Sequence, residues 1–353
     1  MAYPFTDDHD MIREAARGFL QAWYDGGKGP EKIYQSGTPF DAEAWKVFAQ
    51  EMGMAGIAID EACGGAGLGD LGRVVVMEEL GASLCAVPFL TSCGIVTDIL
   101  ETAGEEKAQS DLLPKIAAGE LTAAYCDGHD ASRKAVSHVA YAGHADMIVL
   151  SRRVAEGMDY FAISKDAAGL VITPEKTMDP TRGFASVDWS EVAESDLQII
   201  GYGSEERHDK LITHSFIALA AECIGGAQKC LDMTLEYAGQ RVQFGRPIAS
   251  FQALKHRCAD MFILIEAARS AVYAAAMAPA EEKTEAALIA KAYAADAFFT
   301  VAGDAIQLHG GIGFTWEYPL HFFFKRARAN RAMFGNSARD YARLADEIFG
   351  DAA

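Results

Sequence analysis

Two short stretches hold the residue types best suited to gripping a phosphorylated ligand. Residues 241–252 read R-V-Q-F-G-R-P-I-A-S-F-Q, and residues 307–313 read Q-L-H-G-G-I-G. Arg241 and Arg246, beside a backbone interrupted by Gly245 and Pro247, would suit a pyrophosphate, because guanidinium groups bind phosphate oxygens in pairs. Gly310 and Gly311 would let backbone amides approach a ligand closely. A plainer reading stands beside this one. Gly245 and Pro247 can simply stop a helix, with arginine complementing its negative end, and Gly310 can cap another. That reading accounts for Gly245 and Pro247 but poorly for Phe244, Arg246 and Gln252. The glycines at 64, 65, 67 and 69 are a weaker signal: a dinucleotide fingerprint needs a strand before it, and helical patterns flank these. They read as a tight helix-to-helix connection. His309 reads as a packing or backbone-bonding residue. Lys325, Arg326, Arg328 and Arg331 read as a solvated or salt-bridged helix face, or as contacts to phosphates or a partner. Phe322, Phe323 and Phe324 read as bundle core or interface.

The elements that must position these residues follow from periodicity. Residues 1–118 read as helices, beginning at a Thr6 cap followed by Asp7 and Asp8. Further helices are expected over about 41–52 and from about Asp70. Residues 119–204 change character, with β-type runs at 135–141, 147–150, 160–164, 170–173 and 185–189 separated by turn residues. No long helices alternate with them, so a doubly wound sheet is excluded. Residues 205–353 carry long helical patterns over 214–238, 251–278, 281–308 and 320–348, which predict an up-and-down bundle. The fold class is therefore α+β and mostly α: a helical N-terminal domain, a small antiparallel β middle domain and a C-terminal four-helix bundle.

Composition narrows the partners. The chain has 353 residues, enough to bury a core without disulfide staples. Its net charge of -19 argues against nucleic acid, yet local arginines can still hold a small anion. The seven cysteines are scattered with no C-x-x-C spacing, which suggests reduced thiols in a cytoplasmic setting and no zinc site. The polar, acidic N-terminus does not resemble a signal peptide. The uncharged run 80–97 contains Gly81, Pro88 and Gly94 and is expected to be buried helices and a turn rather than a membrane span.

Taken together, the two opening stretches resemble the signature of the acyl-CoA dehydrogenase family, R-x-x-F-G-x-x-I-x-x-x-Q followed about 55 residues on by Q-x-x-G-G-x-G. Glu317-Tyr318-Pro319 continues it. Upstream, residues 51–69, the M-E-E-L-G at 77–81 and the L-P-K-I-A-A-G-E at 113–120 resemble the family's N-terminal domain and its join to the middle domain. The resemblance spans nearly the whole chain. It implies an FAD cofactor, an acyl-CoA substrate, a tetramer of self or of homologous subunits, and an electron-transfer flavoprotein or similar acceptor. It further implies that Arg241, Phe244, Gln252, Gln307, Gly310 and Gly311 hold the pyrophosphate and adenosine of FAD bound in the neighbouring subunit.

The same resemblance exposes departures. The family reaction takes a proton from the α-carbon of the thioester and passes the β-hydride to flavin, which needs a carboxylate base. The usual base is a Glu before Gly, sixteen residues after the Tyr of E-Y-P; here that position is Phe334, followed by Gly335. The alternative position on the earlier helix is Ser215. Neither can do this chemistry unaided, so no catalytic residue is assigned. The flavin-lining T-E-P-x-x-G-S-D segment reads A-A-Y-C-D-G-H-D at 123–130, and no W-I-T-N equivalent appears. This asymmetry resembles α2β2 bacterial members acting on CoA thioesters of sterol or bile-acid side chains, in which one subunit type lacks the base. Two alternatives remain: a complete homotetrameric dehydrogenase with its base relocated to Glu222, Glu317, Asp127, His129 or Asp130, or a non-enzymatic helical interaction protein with a vestigial FAD motif.

Overall fold

The structure, a computed structural model, describes residues 5–128 and 134–350, with the side chain of residue 347 set aside. His129 and Asp130 lie outside the described residues. The helices are α1 (Asp7–Trp23), α2 (Pro30–Ser36), α3 (Ala42–Trp45), α4 (Gly69–Ser83), α5 (Thr97–Ala103), α6 (Glu106–Ala117), α7 (Glu205–His214), α8 (Phe216–Gln240), α9 (Gln252–Met277), α10 (Lys283–His309), α11 (Leu320–Ala332) and α12 (Ser337–Phe349). Among the described residues, seven strands lie between α6 and α7: β1 (Ala123–Gly128), β2 (Ala135–Ala140), β3 (Met147–Val154), β4 (Gly157–Ser164), β5 (Val171–Glu175), β6 (Phe184–Asp188) and β7 (Gln198–Gly203). The helical, strand and helical portions thus follow the order the sequence predicts.

The chain divides into two compact units. One comprises Met1–Lys32, Val74–Cys85 and Phe216–Ala353; the other comprises Ile33–Arg73 and Ala86–Ser215. In the first unit α10 is the central helix, packed by α8, α9, α11 and α12. Its alanine-rich face, including Ala290, Ala294, Ala297, Ala302 and Ala305, is buried, so the neighbouring helices come close. Gly226 lets α8 approach α10 closely: a Cβ there would sit 2.4 Å from the Phe298 ring. The segment 74–85 crosses α8 backbone to backbone. A Cβ on Gly225 would lie 1.8 Å from the Glu78 carbonyl, and one on Gly81 would lie 2.1 Å from the Glu222 carbonyl. Both positions therefore demand glycine.

The second unit holds two sheets, β1-β3-β4-β7 and β2-β6-β5. Alternate residues from both, among them Ala124, Cys126, Ile148, Leu150, Phe161, Ile163, Val187 and Trp189, fill one apolar core. Every pair is antiparallel except β1 with β3. That pair runs parallel because the chain leaves β1 to make β2 in the other sheet before it returns, the crossover a parallel pair requires. Two strands go beyond the five predicted. β1 carries four consecutive buried residues and so shows no alternation to read. β7 shifts register between Ile199 and Gly201, and a Cβ at Gly201 would meet the Ala103 carbonyl at 2.2 Å. The glycine loop at 64–69 is a tight turn, as expected: a Cβ on Gly65 would fall 2.0 Å from the Ile59 carbonyl.

One expectation is corrected. The pattern over 320–348 is not one helix but two, α11 and α12, broken at 333–336. Phe334 (φ 60°) and Gly335 (φ 106°) adopt left-handed backbone there, which cannot continue a right-handed helix, and the Asn336 side chain then caps α12 by accepting from the Arg339 amide at 3.0 Å.

Candidate functional site

The two glycine-and-arginine stretches meet at one end of the bundle. After α8 the chain forms a two-stranded ribbon, β8 (Val242–Gln243) with β9 (Arg246–Pro247). Its turn residues Phe244 (φ 52°) and Gly245 (φ 77°) both have positive φ, the requirement of the tight two-residue hairpin turn. The Ile248 amide closes the base of the ribbon by donating to the Arg241 carbonyl at 2.8 Å. Arg246 lies 4.2 Å over the Phe251 ring, and Phe244 meets the same ring edge-on at 6.2 Å. Phe244 is nonetheless 92% exposed. Phenylalanine in a strained backbone conformation, turned to solvent, has no folding rationale within this chain.

The second stretch ends α10. The Gly310 amide donates to the Gln307 carbonyl, and Gly310 itself takes φ 64°, ψ -141°. A Cβ at Gly310 or Gly311 would meet nothing within 4 Å, so this chain's own packing does not ask for Gly311. Gly313 differs: a Cβ there would come within 2.8 Å of the Ile306 carbonyl, so its glycine is structural. The antiparallel course of α8, α9 and α10 brings the end of α8, the start of α9 and the end of α10 together. The stacking of Tyr237 on His309, with ring centroids 4.4 Å apart, fixes that arrangement. Arg241, Phe244, Gln252, Gln307, Gly310 and Gly311 are all exposed there.

The break between α11 and α12 is the opposite kind of place. Phe334 is half-buried and stacks on buried Phe216, centroids 5.7 Å apart and planes 25° apart. Lys291, 1% exposed, lies 4.9 Å over the Phe216 ring. Its ammonium donates to the Gly335 carbonyl at 2.9 Å and to the Asp340 carboxylate at 2.6 Å. Burial holds Lys291 below the ordinary lysine range, against the opposing pull of Asp340. A buried lysine therefore pins the backbone of the break while two aromatic rings fill the space beside it.

The carboxylates considered as relocated bases are placed as follows. Glu222 is buried on α8 and both its oxygens are engaged: Arg326 donates to Oε1 at 2.8 Å and Asn330 to Oε2 at 2.8 Å. Glu317 is exposed in the loop before α11. Asp127 is an exposed residue of β1 that accepts from Ser151 Oγ at 3.3 Å. Ser215 is buried, its hydroxyl 3.4 Å from the Leu211 carbonyl it can donate to. Of the basic run, Arg326 and Arg331 are salt-bridged, to Glu222 and to Asp296 at 2.6 Å, and Lys325 lies 5.0 Å over the Trp316 ring. Phe322 and Phe323 are fully buried core.

A charged cavity of about 620 Å³ in the first unit carries no sequence signal beyond the two glutamates of M-E-E-L-G. There Glu78 accepts from Arg13 at 2.9 Å, from Arg269 at 3.1 Å and from Tyr273 Oη at 2.6 Å, while Arg17 takes Glu79 at 2.8 Å. Burial alone would raise the Glu78 carboxyl, but the two guanidiniums and the phenol hold it below the ordinary range. The cluster fastens α1 and α9 to α4.

Comparison with known proteins agrees with this architecture. The model of the acyl-CoA dehydrogenase N-terminal domain matches residues 6–120, and that of the acyl-CoA dehydrogenase C-terminal domain matches residues 207–349. The chain is 34% identical to acyl-CoA dehydrogenase IpdE2 of Mycobacterium tuberculosis, over 97% of its own length and 98% of the relative's. Among solved structures it resembles the Tcur3481-Tcur3483 steroid ACAD (26% identity, TM-score 0.85, 98% and 99% of the two chains covered). At the level of fold it also resembles the ChsE4-ChsE5 complex from Mycobacterium tuberculosis (24% identity, TM-score 0.89, 100% of both chains covered). The open, glycine-bearing bundle end, the matched domains and the full-length relative lead to one assignment: this chain belongs to the acyl-CoA dehydrogenase family.

Proposed function

We propose that this chain is the base-lacking, FAD-sharing subunit of a two-component acyl-CoA dehydrogenase that acts on a steroid-type CoA thioester, such as a sterol or bile-acid side chain. The observation that carries the proposal is the Phe334 break. Removing a proton from carbon requires a carboxylate within hydrogen-bond reach of the substrate. Here an aromatic ring stands at the expected position, stacked on Phe216 and anchored through Lys291. The relocated-base alternative finds no support in Glu222, whose two oxygens are both committed to donors in the core.

The bundle end supports the other half of the proposal. The family is FAD-dependent, and the residues here fit the phosphate-bearing half of that cofactor. Arg241 and Arg246 offer guanidiniums, Gly310 and Gly311 leave space where side chains would stand, and Phe244 offers an uncovered aromatic face. Bound FAD would supply the hydride acceptor, and an electron-transfer flavoprotein or similar acceptor would take the electrons onward. This chain would bind and orient the adenosine and pyrophosphate of a cofactor whose chemistry takes place in a homologous catalytic subunit. Similarity to a ChsE4-ChsE5 complex and to a steroid ACAD supports both the paired assembly and the substrate class.

The test is co-expression with a homologous subunit that carries the intact carboxylate. Arg241→Ala in this chain should loosen FAD in the assembled complex by about tenfold or more, the worth of one charge-assisted contact. Phe334→Glu alone should leave this subunit an inefficient enzyme. Unchanged flavin retention in the Arg241 variant would overturn the sharing role, and a colourless complex would favour a non-enzymatic interaction protein.

A further inference from the structure

His309 reads from sequence as a packing residue, yet it lies where the two cofactor stretches meet. It is the last residue of α10 and 3% exposed. Its Nδ1 lies 2.7 Å from the Ala305 carbonyl. A carbonyl only accepts, so Nδ1 carries the proton, and in the neutral ring Nε2 is left as a lone pair. Nε2 is buried, and the backbone of Met233 lies beside the ring. The ring stacks on Tyr237 at 4.4 Å and 22° and packs at a tilt beside Tyr318 at 4.7 Å and 47°. Tyr237 and Tyr318 also meet each other edge-on at 6.2 Å.

Each member of this triangle belongs to a different part of the site. Tyr237 stands one helical turn before Arg241, whose amide donates to the Tyr237 carbonyl at 2.8 Å. Tyr318 belongs to the E-Y-P loop that leads into α11. His309 immediately precedes Gly310 and Gly311. The height of the Arg241 turn relative to the Gly310 turn is therefore set through one imidazole. Its rotation is fixed by the Ala305 hydrogen bond, one face by the stacked Tyr237 ring and its tilt by Tyr318. Aromatic pairs at these separations contribute beyond their buried area, and they do so only in restricted geometries.

Resting on the reading that these turns hold a dinucleotide, we propose that His309 is a positioning residue. Clipped to Ala305, stacked on Tyr237 and packed beside Tyr318, it fixes the spacing between the guanidinium of Arg241 and the amides of Gly310 and Gly311. It touches no reacting atom and acts through the two turns it joins. A residue that merely filled the core would contribute to stability but would not tie the order of one turn to that of the other.

Two variants separate the two anchors. His309→Phe keeps the stack and gives up the donor to Ala305; His309→Asn keeps a donor at that position and gives up the stack. Amide hydrogen exchange is read on the chain alone, together with FAD retention in the complex with the homologous subunit. His309→Phe should raise exchange at least tenfold in both 238–248 and 310–318 while α11 and α12 keep their protection, and should weaken FAD retention severalfold. His309→Asn should do the same to a greater degree. Exchange that is unchanged in both turns, or raised equally throughout the bundle, would overturn the positioning role. Arg241→Ala serves as the control. If it releases FAD and the His309 variants do not, this proposal fails and the reading of the site stands. If Arg241→Ala does not release FAD, the reading of the site fails, while the exchange data still decide whether His309 couples the turns.

Discussion

The bundle contains two Phe–Gly turns in which both residues have positive φ, set in opposite surroundings. At Phe244–Gly245 the φ angles are 52° and 77°; at Phe334–Gly335 they are 60° and 106°. Left-handed backbone at a phenylalanine is strained wherever it occurs, by about 1–2 kcal/mol. At Phe334 the chain itself offsets that strain, through the ring of Phe216 and the ammonium of Lys291. At Phe244 it does not: the ring is 92% exposed, steadied only by the edge of Phe251. A closed turn of this kind is finished by folding. An open one is finished by something that arrives later. On the proposed reading, the difference places the recognition surface at the Arg241 turn, and the Phe334 turn offers no carboxylate where the family's base is expected.

The largest expected effect breaks the closed turn. Lys291→Met should destabilise the chain by about 3–5 kcal/mol in urea unfolding, because it leaves the Asp340 carboxylate buried without its partner. Adding Asp340→Leu should recover most of that loss, since an apolar pair can replace a buried ion pair. A milder expectation concerns the rings themselves. Phe334→Ala should cost about 2 kcal/mol, less than a fully buried phenylalanine would. Phe244→Ala should change the stability of the isolated chain by no more than about 0.5 kcal/mol, yet weaken FAD retention in the complex. If Phe244→Ala destabilised the isolated chain as much as Phe334→Ala, the two turns would not differ as described.

The smallest effect is a pH dependence near the open end. Burial, and then the neighbouring Lys325, lower His321 to about 4. The unfolded chain, with an ordinary histidine, therefore takes up this proton first as the pH falls. The contribution of neutral His321 is complete above about 6.5 and is lost as the pH drops from there towards 4. Thermal unfolding of His321→Gln should show a shallower decline across that window than the parent protein, and identical slopes would remove His321 from the account.

Much of this was legible in the sequence, for identifiable reasons. Thr6 caps α1 with His9 Nδ1 2.8 Å from its hydroxyl, and the Asp41 carboxylate caps α3 by accepting from the Ala44 amide at 2.9 Å. Both are short-range effects that a local pattern records. The Arg241 and Gly310 turns were visible because their residues exceed what a helix stop needs. The break at Phe334 was harder to see: a helical pattern runs through 320–348, and only Gly335 and the capping Asn336 mark the interruption locally. Lys291, which holds the break through the Gly335 carbonyl, lies on a different helix, and long-range pairs of this kind leave no local trace. The Glu78 cluster was hidden for the same reason, since Arg13, Arg269 and Tyr273 are far apart in the chain. β1 was hidden by burial on both faces.

The most direct measurement of the central claim compares this chain purified alone with the same chain purified with a homologous, carboxylate-bearing subunit. Flavin absorbance per chain and turnover of a steroid-type acyl-CoA are read on both preparations. The chain alone should neither hold stoichiometric flavin nor turn over, while the complex should be yellow, with fewer flavins than chains, and active. Stoichiometric flavin and acyl-CoA turnover by this chain alone would contradict it.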